Sequence, residues 1–245
     1  MSWQQPVENS VDSLTYAISH FDGVELDLRL SNDGVLMMHH DDQTVDKTHV
    51  ETMTADDLDE YCDSFSSLLE KKSFTEPWQE EGKTVCIELK SPHPRSGKGG
   101  GWRAGAERIS HITQMLKLVN NHLSELELPE GTTVAYSFDP RFLTAAKRAN
   151  FPHPRARLMP YLREWGNSKM KRVVAAPSFA FHSLPRLMGK HKKWGAPMVP
   201  CALEYLTGWT RWVTLGKTVG LKGKQLDRLT KNRKGYPAFV WPSRL

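Results

Sequence analysis

Gly23-Val-Glu-Leu-Asp-Leu-Arg-Leu30, with the turn Ser31-Asn-Asp-Gly34 and the run Val35-Leu-Met-Met-His-His40 after it, is the stretch that decides the fold. Side chains alternate between the two faces of a strand, so Leu26 and Leu28 enter an apolar layer while Glu25 and Asp27 share the opposite face. Outward from this stretch, further β-like runs lie at 83–90, 132–138, 155–159, 172–176 and 237–241, which makes seven strand candidates. Helical patterns fill 11–20, 54–69, 104–123 and 141–149, and in the third Ile109, Ile112, Leu116 and Val119 recur at helical spacing. This alternation predicts βα units around a parallel sheet. Thr54-Ala-Asp-Asp57 reads as a helix N-terminal capping signal. Ser96-Gly-Lys-Gly-Gly-Gly-Trp102 reads as a mobile loop and lacks the spacing of a P-loop. Residues 177–235 show poor periodicity.

Two acids on one face of a buried strand repel each other and are costly unless paired or bound to a metal. Glu88 in Val85-Cys-Ile-Glu-Leu-Lys90 repeats the situation, with Lys90 two residues on and on the same face. Three such oxygen donors suit a hard divalent cation such as Ca²⁺ or Mg²⁺. Ion pairing of Glu25 and Asp27 with Arg29, and of Glu88 with Lys90, is the alternative. His39 and His40, placed on the second strand, must point to opposite faces, so at most one of them enters a shared pocket. A histidine at a strand end beside Asp41 and Asp42 can move protons near neutral pH.

The chain has 245 residues, 39% of them hydrophobic, and a mean hydropathy of −0.52, enough for one large folded domain or two small ones. It shows neither an apolar stretch long enough for a membrane span nor the features of a secretory signal. Cys62, Cys86 and Cys201 support neither a disulfide framework nor a structural zinc site, so a reducing, cytoplasmic setting is expected. Charge is polarised along the chain: 11 Lys and Arg against 25 Asp and Glu up to Pro140, then 22 against 3. Such asymmetry fits a basic half that binds nucleic acid or anionic lipid, or two halves of one fold that face each other across an anionic substrate and its metal.

Four ordered blocks resemble the glycerophosphodiester phosphodiesterase family. They are Val7-Glu-Asn-Ser10, Gly23-Val-Glu-Leu-Asp27 with Ser31-Asn-Asp-Gly34, His40-Asp-Asp-Gln-Thr-Val-Asp-Lys-Thr48, and Ile87-Glu-Leu-Lys90. Ser137-Phe-Asp139 and a late Phe239-Val-Trp241 follow in order. The resemblance implies a single (β/α)₈ TIM-type barrel domain over 1–245, with the site at the C-terminal ends of the strands. It implies a divalent metal, Ca²⁺ or Mg²⁺, on Glu25, Asp27 and Glu88, Lys90 and Trp241 at the substrate, and His40 as one of two proton-exchanging histidines. Hydrolysis of a small anionic phosphodiester to an alcohol and glycerol phosphate is the implied reaction.

The family's opening strand, ending in His-Arg-Gly, has no counterpart here. The seven strand candidates are therefore expected to match a barrel lacking or substituting its first strand, and Met1 to be an internal methionine of a longer protein. A catalytically impaired barrel that binds phosphodiesters or other anions is the alternative function. Trp194, Trp209 and Trp212 among Lys190, Lys192, Lys193 and Arg211 raise nucleic-acid binding, but no nucleic-acid motif accompanies them, so that partner is not expected.

Overall fold

In the computed structural model, which describes residues 6–158, 184–202 and 238–241, the decisive stretch is a strand, β1 (Gly23–Leu30). A helix, α1 (Val11–His20), precedes it, capped by Ser10, whose hydroxyl accepts from the Ser13 N–H while the Ser13 side chain answers the Ser10 N–H. After β1 the chain turns at Gly34, where φ is +88°, a backbone region open to glycine, and returns as β2 (Leu36–Met38). Next come α2 (Ala55–Leu58), α3 (Phe65–Leu69), α4 (Lys72–Glu80) and β3 (Thr84–Leu89). They are followed by α5 (Gly105–Leu123), β4 (Thr133–Ser137), α6 (Phe142–Arg148) and β5 (Arg155–Arg157). The sheet order is β2-β1-β3-β4-β5, with β1, β3 and β4 parallel.

The chain divides into two compact units, Met1–Arg155 and Ala156–Leu245. In the first, Leu26, Leu28, Ile87 and Leu89 of the sheet bury one face against Leu14 and Ile18 of α1 and Ile112, Leu116 and Val119 of α5. β1 and β3 approach so closely that a Cβ on Gly23 would meet the Thr84 carbonyl oxygen at 2.2 Å, which explains the glycine at the strand's start. The second unit contains α7 (Leu184–Lys193) and a parallel pair, β6 (Val199–Ala202) and β7 (Ala238–Trp241). His191 of α7 is buried, and its ring nitrogens contact the carbonyls of Leu187 (2.8 Å) and Arg157 (2.9 Å), a structural role.

Several expectations need correction. The run 35–40 is not a barrel strand: β2 pairs antiparallel with β1, because a tight turn cannot make the crossover that parallel pairing requires. The match of seven strands to a barrel loses that run, and β6, in a region without readable periodicity, joins the strands. The strand at 172–176 lies outside the described residues. The helix at 54–69 is two helices, because Asp63 leaves the helical path. Its carbonyl accepts from the Met38 N–H (2.8 Å) and its carboxylate from the Val11 N–H (2.7 Å), and Ser64 then caps α3. Thr54 and Asp57 do form the expected capping box at α2. The segment at 96–102 runs through consecutive tight turns, and the Arg108 Nε donates to its Gly99 carbonyl (3.1 Å).

A half-buried histidine on α5 makes acid stability testable. Burial first, then the charges of Arg108 and Lys98, lower the His111 pKa to about 4, and its Nε2 is buried without a hydrogen-bond partner. With the folded value below the ordinary 6.5, the neutral ring's contribution is complete above about 6.5 and is lost as pH falls through 4. His111→Leu is expected to flatten the stability profile across that window, as read by urea unfolding at a series of pH values. An unchanged acid limb would contradict this account.

Candidate functional site

The site follows from register. Parallel pairing sets Glu25 beside Cys86 and Asp27 beside Glu88, so the face opposite the apolar layer carries Glu25, Asp27 and Arg29 on β1 and Cys86 and Glu88 on β3. Lys90 follows β3 directly. One carboxylate oxygen from each of Glu25, Asp27 and Glu88 lies within 4.8 Å of the others. The Lys90 ammonium bridges Asp27 Oδ1 (2.9 Å) and Glu88 Oε1 (2.8 Å).

The crowding of these acids around one cation shifts Glu25 and Glu88. Burial, then the charges of Asp27 and Glu88, push Glu25 up to about 9. Burial also raises Glu88, with Lys90 opposing. Burial alone would lower Lys90, but Glu88 and Asp27 raise it on balance. Cys86 is pushed up to about 12 by burial and by Glu25, which leaves an unreactive thiol. Three carboxylate oxygens grouped on one face are the donor chemistry of a hard-cation site, and they fit one.

Arg29 does not serve the acids of its own strand, as the ion-pairing alternative required. Its Nη1 bonds Glu51 Oε1 at 2.7 Å, with both side chains buried, and its Nη2 donates to the His40 carbonyl at 2.9 Å. The pairing of Glu88 with Lys90 does form, and Asp27 shares that lysine.

His39 and His40 lie just beyond β2 rather than on it. The His39 N–H donates to the Asp27 carbonyl (3.1 Å), which ties the segment to β1. His40 is 57% exposed, and its Nδ1 lies 2.9 Å from Asp41 Oδ1. The hydrogen bond with His40 holds the Asp41 carboxyl below its ordinary value. His40, Glu88, Lys90, Arg108 and Asp139 all line a cleft of about 620 Å³ at the C-terminal ends of β3 and β4. Trp241 ends β7 opposite Ala202, in the second unit, and its side chain lies outside the described residues.

Sequence reasoning missed three contributors. Asn9, at φ +56°, donates from Nδ2 to Asp27 Oδ2 (2.9 Å) and accepts the Asp27 N–H at Oδ1 (2.8 Å), so one side chain fixes both the backbone and the carboxylate of Asp27. Arg108 is buried on α5 and lies 3.7 Å from Asp139. A cation one turn before Ile112, on the helix's apolar stripe, was the available signal. Asp139 accepts from the Ser91 hydroxyl (3.0 Å) and the Arg141 N–H (2.8 Å).

Residues 1–183 match the family described as glycerophosphoryl diester phosphodiesterase. No curated protein matches the chain at a significant level. Among solved structures, one from Silicibacter pomeroyi, described as a putative glycerophosphoryl diester phosphodiesterase, superposes with a TM-score of 0.60 at 16% identity, covering 97% of this chain and 86% of its own. A putative glycerophosphodiester phosphodiesterase from Galdieria sulphuraria gives 0.59 at 14%, covering 98% and 89%. An Oleispira antarctica phosphodiesterase, solved with the product sn-glycerol-3-phosphate, gives 0.57 at 14%, covering 96% and 88%. At these identities the likeness is one of fold, the TIM barrel of these enzymes.

Proposed function

The chain belongs to the glycerophosphoryl diester phosphodiesterase family, whose members are phosphodiesterases, and from that premise we propose that it hydrolyses glycerophosphodiesters to an alcohol and glycerol phosphate in a metal-dependent reaction. The observation that carries this reading is the convergence of Glu25, Asp27 and Glu88 on one sheet face, beside Lys90 and a cleft that His40 also lines.

Glu25, Asp27 and Glu88 would hold the divalent ion, Ca²⁺ or Mg²⁺, which supplies Lewis acidity toward a phosphoryl oxygen. Asn9 holds Asp27 in place for that task. Lys90 and Arg108 set positive charge along the cleft, where they offset the charge of a bound phosphodiester and the charge that develops on its oxygens. His40 exchanges protons at Nε2: with Nδ1–H donated to ionised Asp41, the Nε2 lone pair is free to take a proton and later return it. Arg29 positions this histidine through its carbonyl.

One barrel domain over 1–245 is part of the proposal, supported by fold relatives that align along nearly the whole chain. So is Trp241 at the substrate, on the resemblance of Phe239-Val-Trp241. A cytoplasmic setting accords with Cys62 and Cys86, both free thiols, and no helix among the described residues is long and apolar enough to cross a membrane.

The test is hydrolysis of glycerophosphocholine by the full chain with Mg²⁺, Ca²⁺ or Mn²⁺, beside Glu25→Ala and His40→Ala. Metal-dependent release of glycerol phosphate, lost in both variants, is the expected result. Binding of metal and substrate without turnover would instead make the chain a phosphodiester binder.

A further inference from the structure

A second cluster of metal-ligating side chains lies outside the three carboxylates. Asp42, His49 and His93 each bring one ligand atom to within 4.8 Å of the others. They come from separate segments: Asp42 from the loop after β2, His49 from the start of the tight turn Val50–Thr52, and His93 from the start of Pro94–Ser96. Both histidines direct Nδ1 toward the same oxygen, Asp42 Oδ2, at 3.8 Å for His49 and 3.9 Å for His93. Their rings stack with centroids 5.0 Å apart and planes 11° apart.

Donor type separates this cluster from the first. Two imidazoles and a carboxylate form the nitrogen-rich set preferred by late first-row cations, above all Zn²⁺, whereas an all-carboxylate set prefers Mg²⁺ or Ca²⁺. Zinc–nitrogen bonds of about 2.0–2.1 Å put tetrahedral donors roughly 3.4 Å apart, so the two measured edges need to contract by only about half an ångström. The histidine nitrogens already engage the backbone: His49 Nδ1 donates to the Asp42 carbonyl (3.2 Å), and His93 Nδ1 accepts the Arg95 N–H (3.1 Å). Coordination through these nitrogens would release the His49 proton and exchange both bonds for metal bonds. All three side chains are partly exposed, which gives a cation a path in and leaves room for water at a fourth position.

We propose that Asp42, His49 and His93 form a second divalent-cation site of the zinc type on the wall of the cleft, separate from Glu25, Asp27 and Glu88. Asp42 and His93 line the same cleft as Glu88 and Lys90, so a cation held there presents a further positive charge to an anion in the cleft.

The test uses the full chain, stripped with chelator and titrated with Zn²⁺ by calorimetry in excess Mg²⁺, with Co²⁺ absorption in the visible as a second readout of nitrogen ligation. Zn²⁺ is expected to bind despite the Mg²⁺, and His49→Ala and His93→Ala are each expected to weaken it at least about 10–100-fold. Circular dichroism checks that the variants fold, and His93→Gln provides a variant closer in size. Glu88→Gln is expected to leave the Zn²⁺ isotherm within about twofold. Isotherms of the histidine variants that superpose on wild type would overturn the proposal, as would Zn²⁺ binding lost in Glu88→Gln alone. None of these readouts depends on phosphodiesterase activity.

Discussion

Arg29→Ala is expected to destabilise the protein by about 3–5 kcal/mol, the range for removing one partner of a buried ion pair. The pair with Glu51 is 5% and 1% exposed, so deletion leaves a buried carboxylate without its counter-charge. Glu51 Oε2 already lacks a hydrogen-bond partner, which leaves the group little to fall back on. Arg29→Met combined with Glu51→Leu removes both charges and should recover most of the loss, since apolar replacement of a buried pair is often neutral or stabilising. The two effects should separate in function. The double variant regains its melting temperature but not the arginine that bonds the His40 carbonyl, so turnover should stay depressed. Urea unfolding and kcat measured on the same preparations check this, and a double variant as active as wild type would remove the positioning role from Arg29.

Lys90→Met is expected to make stability conditional on a divalent cation. Lys90 bonds Asp27 and Glu88 at 2.9 and 2.8 Å, and its removal leaves three clustered carboxylates without their cation. Proton uptake limits the damage, so a loss of about 2–3 kcal/mol in metal-free buffer is expected rather than the full cost of a broken buried pair. For a chain of this size that corresponds to roughly 5–10 °C in Tm. The pH trend has a definite sign. Glu25, at about 9 in the fold, holds a proton that the unfolded chain releases near its ordinary value of 4.5. The stability it provides is complete below 4.5 and is lost as pH rises through 9, so metal-free protein weakens toward alkaline pH and Lys90→Met weakens faster. Added Ca²⁺ or Mg²⁺ should restore the variant by more degrees than it adds to wild type. Equal melting of the two proteins in chelator would show that the carboxylates do not depend on this lysine.

How far the sequence revealed these arrangements depended on whether their cause was local. The alternation in Gly23–Leu30 and Thr84–Leu89 announced which acids share a face, and the parallel register sets Asp27 beside Glu88. Capping at Thr54 was legible because a capping box is complete within four residues. The break before α3 was not, because it is caused by Asp63 bonding to Val11 and Met38, which are remote in sequence. α4 was hidden by Pro77, a helix breaker tolerated where Phe74 and Trp78 bury their rings beside it. At the site, the acids and Lys90 could be read as a pattern. Asn9 could not, because its function arises from a left-handed backbone that turns the amide onto Asp27. Arg29 was legible as a charge near the acids and was misassigned, since its partner Glu51 lies in a separate turn.

The register that joins β1 to β3 also sets a clock for biosynthesis. Arg29 and Ser91, which touch across the finished cleft, are 62 positions apart in the chain. At about 5–20 residues per second a ribosome takes roughly 3–12 s to cover that interval. For that time the β1 acids are exposed in a nascent chain whose lysine has yet to be polymerised, and β1 has only its hairpin neighbour β2 to pair with. The edge that will receive β3 stays open to other strands, so the cleft's cation chemistry begins only after the fold has passed its most aggregation-prone interval.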